Sequence, residues 1–162
     1  MSNFFSKTDL SRKDAEDIIS ETLNKCDDGE LYLENSKSES IILDDDKIKS
    51  STYNSNLGYG LRAVTGEVVA YSHSNEISKN SLKQSADNLR STLKSKNGVY
   101  NHEIPKTNEK FYKSANPIDE KSLQSKLELL KEVNSYTRSK GGIVKQVTAS
   151  FAGEHKSIEI IR

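Results

Sequence analysis

The chain has 162 residues, of which 33% are hydrophobic and 30% are charged, and its 24 basic and 24 acidic residues cancel to zero net charge. This length allows one ordinary domain or two very small ones, and the low apolar share predicts a thin core. Zero net charge gives no electrostatic reason to expect nucleic acid as a partner. No apolar run approaches the roughly 18–20 residues that span a bilayer, and the N-terminus resembles no leader peptide. We therefore expect a soluble, cytoplasmic protein that does not enter a membrane.

The first periodic segment runs from about Ser11 to Cys26, with apolar residues at three- and four-residue spacing. This spacing predicts a helix with one apolar face. Ser11 followed by Asp14 predicts an N-terminal cap, and Gly29 is predicted to end the segment. Cys26 is the only cysteine, which excludes an internal disulfide framework, and we interpret it as a small buried side chain.

Short segments rich in strand-forming residues follow, at 30–35, 40–44, 47–54, 59–64 and 67–72. The breaks between them are polar or contain glycine, as in the serine-rich 36–38, the acidic 44–46 and the segment 54–58. Connections this short permit hairpins but not helical crossovers. The pattern predicts an antiparallel meander of five strands.

A second helix is predicted from Ser78 to about Lys94, ending at Asn97-Gly98, with its apolar stripe at Leu82, Ala86, Leu89 and Leu93. Residues 97–116 are polar and without periodicity, so they are predicted to form a long connection.

A third helix is predicted from Asn116-Pro117 to Gly141-Gly142, with a stripe at Leu123, Leu127, Leu130 and Val133. Strands at 144–151 and 157–161 are predicted to follow, with a turn at Ala152-Gly153. The order helix, strand, strand thus occurs at 11–44 and again at 117–162. This order indicates either an internal α-β-β repeat or a coincidence. The predicted fold class is α+β, a largely antiparallel sheet covered by helices.

Three residues are candidates for an interface. Arg62 stands between apolar neighbours in its strand, so it either points to the wet face of the sheet or pairs with a carboxylate, and contact with another domain or subunit is the sharper hypothesis. Ile158 and Ile160 are predicted to share one face of the last strand, with Ile161 on the other. Because an unpaired terminal strand is a liability, we expect this chain to be a fragment.

No catalytic, cofactor-binding or metal-binding residue is predicted. His73, His102 and His155 are far apart in sequence and lack the spacing of metal ligands. Gly58-Tyr59-Gly60 lacks the third glycine of a dinucleotide motif, and we interpret it as a site of sheet curvature or close backbone packing. Ser38-Glu39-Ser40 is interpreted as a hairpin turn.

The segments ELYLENSKSESIILDDDKIKSS, GYGLRAVTGEVVAYS and VTASFAGEHKSIEIIR, taken in order, resemble the amino-terminal region of the TldD/PmbA family. Members of this family are also described as modulators of DNA gyrase and are understood as zinc peptidases. The stretches ELY, SES, RAVTGE and VTAS are more similar to TldD than to PmbA. The resemblance covers nearly all of the chain, but only about the first third of such a protein.

The resemblance implies a heterodimer of TldD and PmbA type that degrades unfolded peptides. It also implies a zinc ion held by a His-Glu-x-x-x-His helix in the carboxy-terminal part of the TldD subunit, a motif absent here. Residues 1–162 would then be an amino-terminal domain that is inactive by itself and holds no cofactor. Its expected partners are the missing carboxy-terminal domain and a PmbA-type subunit, and its expected role is to form the substrate chamber and the subunit interface. The alternative is a stand-alone, non-catalytic module that binds a partner through a sheet edge.

Overall fold

A computed structural model describes residues 4–93, 98 and 115–162. The elements are α1 (Arg12–Leu23), β1 (Asp28–Asp44), β2 (Lys47–Thr65), β3 (Val68–Ser74), α2 (Lys79–Leu93), α3 (Pro117–Glu120), α4 (Leu123–Arg138) and β4 (Thr148–Ile161). The strands form one sheet in the order β3-β2-β1-β4, and β2 pairs with β3 in antiparallel fashion. The predicted α+β class is confirmed.

The chain divides into two compact units. Unit 1 comprises Met1–Asn35, Asn56–Tyr112 and Ser157–Arg162, and unit 2 comprises Ser36–Ser55 and Lys113–Lys156. The long strands β1, β2 and β4 each pass from one unit to the other. In the described part of the chain, no helix is both long and apolar enough to cross a membrane.

Helix α1 begins as its sequence predicts. Ser11 and Asp14 form a complete capping box, in which each side chain accepts a hydrogen bond from the other residue's backbone N–H. The helix ends at Leu23, so the prediction that Gly29 ends it is wrong. Gly29 lies in β1, where a Cβ atom would be 2.4 Å from Leu23 Cδ2. This glycine therefore serves close packing between strand and helix.

The five-strand prediction is wrong, because three longer strands occupy the same residues. Segments 36–38 and 54–58 continue as extended chain inside β1 and β2. Hydrogen bonds to a neighbouring strand outweigh the weak turn preference of serine and asparagine. Left-handed backbone marks the two real turns: Asp45 and Asp46 have φ of 46° and 65°, and Gly66 has φ of 59°. The acidic run is thus confirmed as a hairpin turn.

The two strands predicted near the carboxyl end are also one strand, β4, which begins at Thr148 and contains Ala152 and Gly153. The predicted order helix, strand, strand is therefore one helix and one strand in 11–44, and two helices and one strand in 117–162. The predicted connection at 97–116 lies outside the described residues except for Gly98, Ala115 and Asn116, and Asn97 lies outside them too.

The second predicted helix is confirmed as α2, and all four residues of its stripe are buried. The third is wrong in two respects. Lys121 adopts an extended conformation and Ser122 caps a new helix, so α3 and α4 are separate. In α4 the fully buried residues are Lys126, Leu130 and Asn134. Leu123 and Val133, predicted to be buried, are exposed.

Each unit has its own hydrophobic core. In unit 1, α1 and α2 pack their apolar faces with side chains of the sheet such as Leu31, Leu33 and Leu61. In unit 2 the buried cluster is small and consists of Ile41, Leu43, Leu130 and Ala149, with Leu127 and Phe151 packed against it. The thin core expected from composition is most evident in unit 2.

Candidate functional site

One face of the sheet in unit 1 packs on the helices, and the opposite face carries exposed apolar side chains. Leu61, Ala63 and Ala70 are buried in the core, whereas Val69 and Tyr71 are 58% and 63% exposed. Side chains alternate between the two faces along each strand. The face away from the helices, which we call the open face, is formed by Asp28, Glu30, Tyr32, Glu34, Arg62, Val64, Val69, Tyr71, His73, Ile158, Ile160 and Arg162.

The structure places Arg62 at the centre of the open face. Arg62 Nη1 donates a hydrogen bond to Asp28 Oδ2 at 3.0 Å, and both side chains are about half exposed. This hydrogen bond, together with a backbone bond from Gly29, lowers the pKa of Asp28 despite partial burial. The structural interpretation, in which Arg62 pairs with a carboxylate, is confirmed. Contact with another domain or subunit stays a prediction.

Ile158 and Ile160 lie on the open face with about half of each side chain exposed, and Ile161 is buried. The predicted alternation of this strand is therefore confirmed. The expectation that the strand is unpaired is wrong on one side, since β4 adjoins β1. On its other side no strand pairs with β4 among the described residues, so the expected unpaired edge is present there. Arg162 also donates two hydrogen bonds to Glu30 Oε2, at 3.1 and 2.7 Å.

Two tyrosines of the open face, Tyr32 and Tyr71, were not singled out by sequence reasoning, and His73 was considered only as a metal ligand. Tyr71 stacks on His73 with 5.8 Å between ring centroids. Tyr32 donates a hydrogen bond to Glu34 at 2.7 Å, and this bond, with partial burial, raises the pKa of Tyr32 to about 12. The alternation in VVAYSHS at 68–74 was the signal that could have identified Tyr71 and His73.

The open face thus combines exposed isoleucine, valine and tyrosine side chains with two cross-strand ion pairs. Apolar and aromatic patches interrupted by paired charges are typical of protein interfaces. The ion pairs join Arg62 to Asp28 and Arg162 to Glu30, so neither arginine is left as an isolated charge. This arrangement can hold another protein surface.

The described residues form no cluster of metal ligands. No group of three histidine, cysteine, aspartate or glutamate side chains in this part of the chain could hold a metal ion. His73 lies in β3 and His155 in β4, and His102 lies outside the described residues. The described residues therefore do not fit the zinc ion that the family resemblance implies.

Other polar groups have structural roles. Cys26 is buried, as predicted, and its Sγ lies 3.8 Å from the carbonyl oxygen of Thr22. Glu39, interpreted as part of a hairpin turn, instead lies in the middle of β1, so that interpretation is wrong. Its carboxylate accepts a hydrogen bond from the buried ammonium group of Lys126. Helical periodicity could not identify the pair of Lys126 and Glu39, because lysine is not expected on the buried face of a helix.

The comparisons with known proteins agree with the order of motifs in the sequence. The family model of PmbA/TldA metallopeptidase domain 1 matches residues 29–93. The chain is 35% identical, over 133 residues, to the metalloprotease TldD homolog of Buchnera aphidicola subsp. Acyrthosiphon pisum, a match that covers 82% of the chain and 28% of the relative. It is 28% identical, over 141 residues, to the corresponding homolog of Haemophilus influenzae, covering 83% of the chain and 29% of the relative.

Solved structures share the fold. A Bacteroides thetaiotaomicron protein described as a modulator of DNA gyrase superposes with a TM-score of 0.57 at 18% identity, over 89% of the chain and 37% of that protein. TldE from Thermococcus kodakarensis gives a TM-score of 0.57 at 11% identity, over 91% of the chain and 34% of that protein.

The chain spans less than a third of the length of the curated relatives that it matches. Those relatives are named metalloproteases, which implies a metal in them. The matched domain, the TldD homologs and the shared fold agree with one another, and together they show that the chain belongs to the TldD/PmbA family, as an amino-terminal region of it.

Proposed function

We propose that this chain is the amino-terminal domain of a TldD-like zinc metallopeptidase subunit, and that it helps form the substrate chamber and the subunit interface for proteolysis of unfolded peptides. In this proposal the zinc-binding motif and the hydrolytic chemistry belong to a carboxy-terminal domain. The partners are that domain and a PmbA-type subunit, and the complex acts in the cytoplasm.

The open face of unit 1 is the observation that supports this role best. Val69, Tyr71, Ile158 and Ile160 expose roughly half or more of their side chains on one side of a sheet whose other side forms a core. Burial of apolar surface of this kind favours association, because its removal from water is favourable. Arg62 and Asp28 satisfy each other and therefore can enter an interface without leaving an unpaired charge.

Co-expression tests the proposal. The chain is produced with the carboxy-terminal part of a TldD homologue and a PmbA-type subunit, and assembly is measured by co-purification. Cleavage of an unfolded peptide is then measured with and without a chelator. We expect a complex whose chelator-sensitive activity requires all three parts.

Two variants locate the interface. Ile160→Lys adds a charge to the open face, and Ser20→Lys adds the same charge to an exposed position of α1. We expect Ile160→Lys to prevent assembly and Ser20→Lys to leave it intact, with both isolated chains folded as judged by circular dichroism. Equal assembly of both variants, or no assembly of the parent chain, would contradict a docking role for this face.

The alternative function, a stand-alone module that binds through a sheet edge, has a separate observation in its favour. In unit 2 the segment Lys47–Ser55 of β2 is exposed along nearly its whole length. What binds to this segment can be inferred without reference to the open face.

A further inference from the structure

The segment Lys47–Ser55 of β2, which we call the edge segment, has one neighbouring strand among the described residues. β2 lies between β3 and β1 in the sheet, and β3 pairs with β2 only from Tyr59 to Thr65. Every residue of the edge segment is exposed except Ser50, which is partly buried. Both faces and one edge of this segment are therefore accessible, as far as the described residues go.

A strand with one neighbour presents half of its backbone hydrogen-bonding groups outward. Alternate residues of an antiparallel strand direct their N–H and C=O groups to the same side. Those groups require a partner, which is either water or another extended chain. The edge segment is long enough for several such outward pairs, because successive residues rise by about 3.4 Å.

The edge segment lacks the features that usually prevent pairing at a sheet edge. Natural edges carry charged side chains, proline or bulges. Residues 50–55, with the sequence SSTYNS, contain no charge and no proline, although 30% of the whole chain is charged. The only charges of the segment are Lys47 and Lys49 near the hairpin turn, and Lys49 lies 3.8 Å from Asp44.

The other outer strand of unit 2 shows the contrast. β4 carries Glu154 and Lys156, whose charged atoms are 4.0 Å apart, with His155 between them. A peptide that paired along β4 would have to accommodate both charges. The two outer strands of this unit therefore differ in how well they are protected against pairing.

We propose that residues 50–55 bind an extended polypeptide segment of low charge by β-augmentation, with that segment adding a strand next to β2. Backbone hydrogen bonds between the two strands would provide the affinity, and they do not depend on the side chains of the peptide, as in other cases of strand addition. Thr52 and Tyr53 are side chains that favour cross-strand pairs, and Tyr53 is 55% exposed. Because residues 50–55 carry no charged side chain, the bound peptide is expected to be uncharged where it pairs with them.

The test uses a fluorescein-labelled peptide in which threonine, valine and tyrosine alternate, with one lysine at each end for solubility. Its matched control is the same peptide with two N-methylated residues, one on each edge, which removes donors but keeps the side chains. Binding to the full 162-residue chain is measured by fluorescence anisotropy. Whichever edge of the peptide faces β2, one backbone hydrogen bond is lost, which is expected to weaken binding by up to about tenfold.

Two double variants test the place of binding. Thr52→Lys with Asn54→Lys adds charge to the edge segment, and Ser150→Lys with Ala152→Lys adds the same charge to exposed positions of β4. The first pair is expected to weaken peptide binding by about tenfold and the second to leave it unchanged. Hydrogen exchange is expected to show peptide-dependent protection of amides within 50–55.

Several outcomes would overturn the inference. These are equal binding of the N-methylated peptide, protection confined to β4 or to the open face, and equal effects of the two double variants. Protection, without peptide, of the amides in 50–55 that face away from β1 would also overturn it: a dependence on protein concentration would identify a second copy as the occupant, and no such dependence would identify another part of this chain. Assembly with the carboxy-terminal part is measured separately, so failure of either proposal leaves the other intact.

Discussion

The phenol of Tyr71 packs over Gly60 on the open face. A Cβ atom on Gly60 would lie 2.6 Å from the hydroxyl oxygen of Tyr71, closer than any real contact. The direct cross-strand partner of Gly60 is His73, so Tyr71 reaches it diagonally while stacking on His73. Because Gly60 has no side chain, the ring of Tyr71 can lie directly on the backbone of β2, and close approach of this kind is typical of a glycine within a strand. The predicted close backbone packing is found at Gly58, where a Cβ atom would lie 2.7 Å from the backbone oxygen of Ser74, whereas at Gly60 the close neighbour is a side chain.

Gly60→Ala is expected to destabilise the parent chain because the new methyl group displaces the Tyr71 ring. In a Tyr71→Ala background the same change should be neutral or stabilising. The coupling energy from this double-mutant cycle is expected to be about 0.5–3 kcal/mol, measured by chemical denaturation. Gly142→Ala is the matched control, since a Cβ there meets no atom within 4 Å. A coupling near zero would show that Tyr71 does not rest on Gly60.

Lys126 is the most consequential polar residue of unit 2. Its ammonium group, with the side chain 4% exposed, donates hydrogen bonds to Glu39 and, at 2.6 Å, to the carbonyl oxygen of Ile118. Lys126→Met is expected to cost about 3–5 kcal/mol, because the Glu39 carboxylate stays buried without its partner. The double variant with Glu39→Leu should recover most of this loss. Denaturation midpoints measure both, and Lys131→Met at an exposed position should change stability by no more than about 0.5 kcal/mol.

Leu130 and Leu123 distinguish the observed buried face of α4 from the one predicted from spacing. Leu130 is 3% exposed and belongs to the core of unit 2, whereas Leu123 is 53% exposed. Leu130→Ala is therefore expected to cost about 2–5 kcal/mol through lost burial and a residual cavity. Leu123→Ala should cost no more than about 0.5 kcal/mol. Equal losses in chemical denaturation would show that α4 is rotated from its assigned orientation.

Asp14 couples the stability of unit 1 to pH. Hydrogen bonds from Lys79 and then Ser11 lower the pKa of Asp14 from 3.8 to about 2. Because the pKa is lower in the folded state, the contribution of the carboxylate is complete above pH 3.8 and disappears as the pH falls toward 2. Asp14→Asn should therefore destabilise the chain near neutral pH, and its difference from the parent should narrow between about pH 4 and pH 2.

Urea denaturation at a series of pH values measures this narrowing. Lys79→Met, which removes the partner of Asp14, should lose its effect over the same range. Lys83→Met, at an exposed position of α2, is the control and should show no such dependence. A constant difference between Asp14→Asn and the parent across this range would contradict the assignment.

Zinc is expected not to bind stoichiometrically to the isolated chain, since no described group of residues offers three suitable ligands. Metal analysis of protein purified without chelator should give far less than one zinc per chain, and the isolated chain should not cleave peptides. One tightly held zinc per chain would contradict this prediction and would place ligands among residues outside the described ranges.

Local features of the sequence determined α1, α2 and the turns at Asp45-Asp46 and Gly66. The Ser11 cap and the stripe from Leu82 to Leu93 depend on residues within one or two helical turns of each other, and these interactions form wherever the rest of the chain lies. The turn at Asp45-Asp46 likewise depends on two adjacent residues that tolerate left-handed backbone. The order of motifs also determined the family, because the resemblance required no knowledge of contacts.

Tertiary structure decided the features that depend on distant residues. The strands β1, β2 and β4 continue through serine-rich and glycine-containing segments because pairing with a neighbouring strand satisfies their backbone groups. Arg62 pairs with Asp28 across 34 residues, and Lys126 with Glu39 across 87. Helical spacing predicts an apolar residue at Lys126, and only the position of Glu39 makes a buried lysine stable there. The identity of the open face also depended on tertiary structure. Alternation in the sequence shows that a strand has two different faces, but it does not show which face the helices cover.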